Sequence, residues 1–392
     1  MGNYGNTMDR WYRRAAVVLW PRERTFAVRG EASPVWALTE LKRRLRAGEV
    51  AEAREMAASL LPFWRSVAPQ EGRGGFFDKT LQVAEGLERP ELAASLLEPF
   101  RVEALTKTKG GTAAFVALVE RYGEDWMREL LAQWATTDRR WVEPEGRLAW
   151  IASLPRLCET LRAADEAVGT VAGRLLLEDR WVWLKKQGIE SRRGLKQPSS
   201  RERALAELAS PLLGFLEGTA VVEAGELREE AVAILLASEN EPLLPCLVQL
   251  LRTAADTVAP ERRVAMGLEA VARRCAERLE ERLARPAREE DDWSIALPEG
   301  CRCELCETLG DFLADPSASV LEWPIAKDKR LHVHRRIDDH ELPVRHRTER
   351  VGRPYTLVLT KQEILFELEA RERRSQEEDL EWLDGWLGAG GA

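Results

Sequence analysis

The sequence predicts a mainly α-helical protein: an irregular HEAT-like helical array with a short N-terminal β segment and a small C-terminal α+β unit. Three observations predict it. Between residues 31 and 285, apolar residues recur at three- and four-residue spacing in runs of about 10–20 residues, the period of an amphipathic helix. Short connections marked by Gly or Pro separate these runs, as in stacked helical pairs. No residue pattern returns at a fixed period, so the array is irregular and matches no named repeat.

The first 30 residues read differently. Residues 11–20 (WYRRAAVVLW) form a short apolar run closed by Pro21, which favours a buried strand over a helix. Residues 25–28 read as a second short extended piece. Helical signals follow. Ser33 is an N-cap candidate with Pro34 at the first helical position, and Val35, Leu38, Leu41 and Leu45 share one face before Gly48 ends the helix. Residues 50–61 make the next helix, with Pro62 near its end. The same grammar marks helices at 90–100, 112–122, 125–135, 147–162, 164–186, 202–217, 227–237, 243–257 and 260–283. Ser199 with Glu202 fits a capping box ahead of Ala204, Leu205 and Leu208. The apolar stripes, with most of the 14 Trp, read as core.

Residues 285–292 (RPAREEDD) are a charged, Pro-containing linker and the expected domain boundary. Beyond it, 306–313 and 330–337 read as helices. Residues 344–350 and 355–360 flank Gly352-Arg353-Pro354 as a β-hairpin, and 361–375 return to helix before a Gly-rich end expected to fray. The expected domains are therefore 1–30, 31–285 and 286–392.

Composition bounds the rest. A chain of 392 residues is long for one core. The net charge of −8 argues against a general nucleic-acid binder. No run approaches the roughly 20 apolar residues of a membrane span, and the opening MGNYGNTMDRWYRR has no signal core, so a cytoplasmic location is expected. Six Cys in so long a chain are not a disulfide framework. The Ala-, Arg- and Trp-rich, Lys-poor usage suggests a GC-rich bacterial genome.

One cluster carries chemistry. Cys301, Cys303 and Cys306 lie within six residues, and all four His stand at 332, 334, 340 and 346. Thiolate and imidazole suit tetrahedral zinc, with His332 or His334 as the fourth ligand. Such zinc is structural, because four protein ligands leave no open position for water. The competing reading makes Cys303 and Cys306 the start of a helix, one of them packed inside, with the His on a solvated basic face. A non-haem Fe(II) site needs two His and a carboxylate, usually opening with His-x-Asp or His-x-Glu. None of the four His is followed by that spacing. A Cys306–His332 thiol–imidazole pair has no further support, and no G-x-S-x-G elbow exists. Lys109-Gly110-Gly111 and Gly72-Arg73-Gly74-Gly75 lack the frame of a phosphate cradle. Basic residues also gather at 10–29 and at 327–353, the second stretch lacking the interleaved aromatics of base stacking, and both read as solvated or interface charge.

Residues 2–22 (GNYGNTMDRWYRRAAVVLWPR) resemble a segment of large 2-oxoglutarate/Fe(II) oxygenase-like proteins of the prolyl-hydroxylase type, where it comes near the end of the catalytic double-stranded β-helix. The C-terminal unit is similar to the tail of those proteins in Cys303-x2-Cys306, in 309–315 (LGDFLAD), in 330–334 (RLHVH) and in 352–361 (GRPYTLVLTK). The resemblance implies that the iron-binding His-x-Asp…His and the 2-oxoglutarate site belong upstream of residue 2, so Fe(II) and 2-oxoglutarate are expected only with a catalytic half, and no catalytic residue is carried over. Residues 1–30 are then remnant strands of that core. The implied function is a non-catalytic helical part, separated by a late start codon, a frameshift or a split gene, that docks onto a catalytic core or a protein substrate. The alternative is a free-standing α-solenoid scaffold that binds protein partners and carries a structural zinc module.

Overall fold

A computed structural model describes residues 20–64, 75–108, 110–141 and 144–390, which are mainly helical with one small sheet. The strand expected at 11–20 lies, apart from Trp20, outside the described residues. The described residues fall into two compact units: one from the chain up to Val142 plus Thr160–Ala172, the other Glu143–Glu159 plus Gly173–Ala392.

The first unit opens with α1 (Thr25–Ala32), where an extended piece was expected. Helical spacing wins because it puts Phe26 and Gly30 on one face, four residues apart. Phe26 packs on Trp36 with ring centroids 5.5 Å apart. A Cβ on Gly30 would stand 2.6 Å from the Leu60 side chain, so the small residue admits the neighbouring helix. There follow α2 (Pro34–Arg46), α3 (Val50–Trp64), α4 (Phe76–Gly86), α5 (Pro90–Leu97), α6 (Gly111–Tyr122) and α7 (Glu124–Trp141). Of these, α4 was not anticipated.

These helices stack as three hairpins. The partners are α2 with α3, α4 with α5, and α6 with α7. α2, α4 and α6 form one layer, α3, α5 and α7 the other. This is the two-layer arrangement expected of a helical array. The short α5 ends in carbonyls that helix geometry leaves unpaired. Two buried tryptophans donate to them: Trp64 Nε1 of α3 to the Leu96 carbonyl and Trp134 Nε1 of α7 to the Leu97 carbonyl, both at 2.8 Å, the Leu97 carbonyl also accepting the Phe100 N–H at 3.0 Å.

The remaining helices are α8 (Pro144–Ala152), α9 (Leu154–Ala164), α10 (Glu166–Trp183), α11 (Ser191–Arg193), α12 (Pro198–Ala206), α13 (Ala209–Val221), α14 (Gly225–Leu235), α15 (Leu244–Thr257), α16 (Pro260–Ala265) and α17 (Leu268–Leu283). A π-helical turn, Leu184–Glu190, joins α10 to α11. Three helices expected as single runs are each broken in two: between α8 and α9, between α12 and α13, and between α16 and α17. The last break has a clear cause, because Gly267 takes φ +73°. In the second unit α13 is buried nearly all round. Gly214 brings it against α8 so closely that a Cβ would stand 2.7 Å from the Ala152 backbone. The stretch Pro198–Val221 is long and apolar enough to cross a membrane, but 67% of its most apolar window is buried inside the protein, so its side chains serve as core.

The charged linker expected at 285–292 lies inside the second unit. Within it Arg288 grips both oxygens of Glu369, at 2.6 and 2.5 Å, and donates to the Asp292 and Ser294 carbonyls. Beyond it come α18 (Glu304–Ala314), β1 (Val320–Pro324), α19 (Lys327–Asp339), β2 (Val344–Glu349), β3 (Thr356–Lys361) and α20 (Ile364–Gly390). β2 and β3 are the expected hairpin, in register Val344 to Lys361. The unanticipated β1 adds antiparallel to the other edge of β3, for an order β1-β3-β2. Leu309, Phe312 and Leu313 of α18, Val333 and Ile337 of α19, and Val344, Leu357 and Leu359 of the sheet make one core. α20 runs past the expected helix end at 375 and through most of the Gly-rich end expected to fray, to Gly390, and it packs on α17. Asp379 pairs with Arg252 at 2.8 Å, the Arg252 guanidinium lies 5.0 Å over Trp382, and Leu383 is fully buried.

Candidate metal centre

Cys303 takes the N-cap position of α18, with extended backbone angles, and its carbonyl accepts the Cys306 and Glu307 N–H groups at 2.8 and 3.0 Å. That puts Cys306 in the first helical turn, buried against the module, while Cys301 stays exposed on the approaching coil. α19 supplies the imidazole. Its Arg330, Val333 and Ile337 face inward, and His332 flanks them on the side of α18. His332 Nε2 lies 3.2 Å from Cys306 Sγ and 3.5 Å from Cys303 Sγ. The three sulfurs and this nitrogen all lie within 4.8 Å of one another. Tetrahedral zinc, with Zn–S about 2.3 Å and Zn–N about 2.0–2.1 Å, spaces its ligand atoms about 3.5–3.8 Å apart. The Cys3His cluster can therefore hold a metal ion.

Of the residues expected to ligate, the structure brings together Cys301, Cys303, Cys306 and His332, and it places His334 elsewhere. Residues two apart on a helix point about 200° apart, so only one of the two His can face the thiols. His334 stacks on His346 of β2, centroids 4.1 Å apart, and its Nε2 is buried with no partner. His346 in turn meets Asp338 at 2.9 Å. His340 bonds Arg336 through its Nε2 at 2.7 Å.

The thiols differ in proton affinity. The Cys306 backbone N–H, and then the Cys301 side chain, hold the Cys303 thiol below its usual range. Burial first, then its two cysteine neighbours, push Cys306 up to about 11. A bound divalent cation reverses that second effect, since its charge deprotonates a coordinating thiol. The other cysteines are unlike these. Cys158, Cys246 and Cys275 are buried in helices and pushed up to about 12, chiefly by desolvation, which makes them inert packing residues.

Two supporting residues escaped the sequence reading. Gly300 takes φ +148°, and a Cβ there would stand 3.0 Å from the Arg336 guanidinium. Arg336 Nη2 donates to the Pro298 carbonyl at 2.5 Å, so α19 braces the loop that delivers Cys301 and Cys303. The available signal was positional: Arg336 lies one helical turn beyond His332, on neighbouring ground of the same helix. The loop after α19 also reaches outward. Glu341, at φ +49°, accepts from the Ser199 N–H and hydroxyl at 2.9 and 2.5 Å. Ser199 therefore lies inside α12 and takes its cap from Glu341, not from the capping box expected with Glu202.

No protein-family model, curated protein or solved structure matches this chain.

Proposed function

We propose that this chain is the non-catalytic helical part of a 2-oxoglutarate/Fe(II) oxygenase-like protein, with one structural zinc ion held by Cys301, Cys303, Cys306 and His332. The observation that carries the metal assignment is the convergence of four ligating atoms within 4.8 Å. Four protein ligands complete a tetrahedron and leave no position for a substrate, so the ion's role is to clamp α18 and its preceding coil to α19. The oxygenase relation is supported by where the resembling segments fall. Residues 303–306, 309–315, 330–334 and 352–361 supply two thiol ligands, the α18 core residues, the imidazole and β3 of one module. The stacked hairpins supply extended helical surface of the kind that docks a catalytic core or a protein substrate. A reducing cytoplasm, where thiols remain free to ligate metal, is the proposed compartment.

Metal analysis of purified protein tests the first half: about one zinc per chain, lost in Cys303→Ser together with melting of the C-terminal module. Protein without bound metal after zinc reconstitution overturns it. For the second half, the DNA upstream of the Met1 codon is read, and a tagged chain is purified from its host. An in-frame His-x-Asp…His, or a co-purifying chain that turns over 2-oxoglutarate, supports the oxygenase relation. Absence of both leaves the free-standing scaffold, a role that the three-hairpin stack also suits.

A further inference from the structure

We infer that the Cys3His centre is a peroxide-sensitive clamp, opened when the exposed Cys301 sulfur is oxidised. The inference rests on the zinc assignment above and adds its regulation. Structural zinc sites that only hold a fold are shielded when their sulfurs are buried. Here the three sulfurs form a gradient: Cys301 exposed, Cys303 half-buried, Cys306 buried. The remaining three cysteines are all buried, so an oxidant arriving from solvent meets the metal centre first.

The chemistry balances with a hydroperoxide as the oxidant. The Cys301 sulfur attacks the O–O bond; an S–O bond forms, the O–O bond breaks, and the leaving hydroxide takes a proton to become water. The sulfenic acid so formed is no longer a thiolate ligand. A second cluster sulfur, with its ligating atom within 4.8 Å, then attacks the sulfenic sulfur. The S–S bond forms, and hydroxide leaves as a second water on taking another proton. Two thiolates have lost two electrons, hydrogen peroxide has accepted them with two protons, and Zn²⁺ is left with one thiolate and one imidazole. Two ligands do not retain structural zinc at its former affinity.

The consequence extends beyond the site. The same coil that carries Cys301 is braced by Arg336, and the loop that follows α19 carries Glu341, which caps α12 through Ser199. Freeing the α18 side of α19 loosens both the module and that cap.

The test uses the zinc-loaded full chain treated with hydrogen peroxide. Free zinc is followed with a chromogenic chelator, the oxidised thiols are mapped by mass spectrometry, and amide exchange is read across α12 and α19. Expected is release of one zinc per chain, with a disulfide that includes Cys301 and faster exchange in Lys327–Asp339 and at the start of α12; a dithiol reductant with added zinc reverses all three. Cys301→His keeps four ligands as a Cys2His2 set and is expected to slow release about tenfold or more. Protein that holds no zinc before peroxide overturns the metal assignment itself. Protein that holds zinc and keeps it under peroxide overturns the switch alone. So does first oxidation at Cys303 or Cys306, a mapping made on the unaltered chain and independent of how well the variant folds.

Discussion

Gly300 illustrates how the candidate metal centre depends on residues outside its four ligands. Its φ of +148° is closed to residues with a Cβ, and the Arg336 guanidinium occupies the space a methyl group would need. Gly300→Ala must therefore move either the coil carrying Cys301 or the brace from α19. Changes in the shell outside metal ligands commonly cost 10–100-fold in affinity, and a loss of about that size is expected here. Competition against a chelator of known strength measures it; an Ala variant that holds zinc as tightly as the parent would show that the brace is incidental. The thiol cluster itself was legible from its spacing in the sequence. The choice between His332 and His334 was not, because it depends on the rotation of α19, which Arg330, Val333 and Ile337 set by burying themselves.

At the scale of elements, the loop after α19 ties the sheet-bearing module to α12 by one carboxylate. Hydrogen bonds from the Ser199 hydroxyl and N–H hold the Glu341 carboxyl below its ordinary range. A carboxyl lowered by folding contributes stability that is present above its unfolded pKa and lost as pH falls through the lowered value. Amide exchange at the start of α12 is therefore expected to quicken on acidification through that window. Glu341→Gln removes the acid step and leaves exchange fast at neutral pH; an unchanged profile in the variant would refute the assignment. Elements with strong local signals were readable in advance: α2 from Pro34 and Gly48, the β2–β3 hairpin from Gly352 and Pro354. β1 was not, since five residues that alternate in burial carry little signal. The 25–28 segment misled because Phe26 and Val28 suggest alternation, whereas the decisive contact, Gly30 against Leu60, is made with a residue thirty positions away. The helix breaks escaped because periodicity persists across a short interruption, and only the left-handed Gly267 marks one of them.

For the whole molecule, the two units predict separate responses to metal removal. The module built on α18, α19 and the sheet has a small core of its own, and the proposed zinc clamps one end of it. A strong chelator is expected to raise amide exchange across Glu304–Ala314 and Lys327–Asp339 while the stacked hairpins of the first unit keep their protection. Equal loss in both units would mean that the metal supports the entire fold. The division itself was hidden from the sequence. Residues 285–292 look like a linker by composition, yet Arg288 fastens that stretch to α20, a helix legible to 375 whose run on to Gly390 and packing on α17 were not.

The paired tryptophans on α5 have a consequence for how the first unit comes apart. Arrays whose repeats touch only their neighbours can unravel from an end, one repeat at a time. Here the final turn of the middle hairpin is closed from both sides, by Trp64 of the hairpin before it and Trp134 of the hairpin after it. Losing the hairpin before it strands the Leu96 carbonyl, at a cost of about 1–3 kcal/mol, and losing the one after it takes away one of the two donors to the Leu97 carbonyl, the other being the Phe100 N–H. The three hairpins should then melt together, in a single transition shared by all their amides. Trp134→Phe should split that transition, with α6 and α7 opening first.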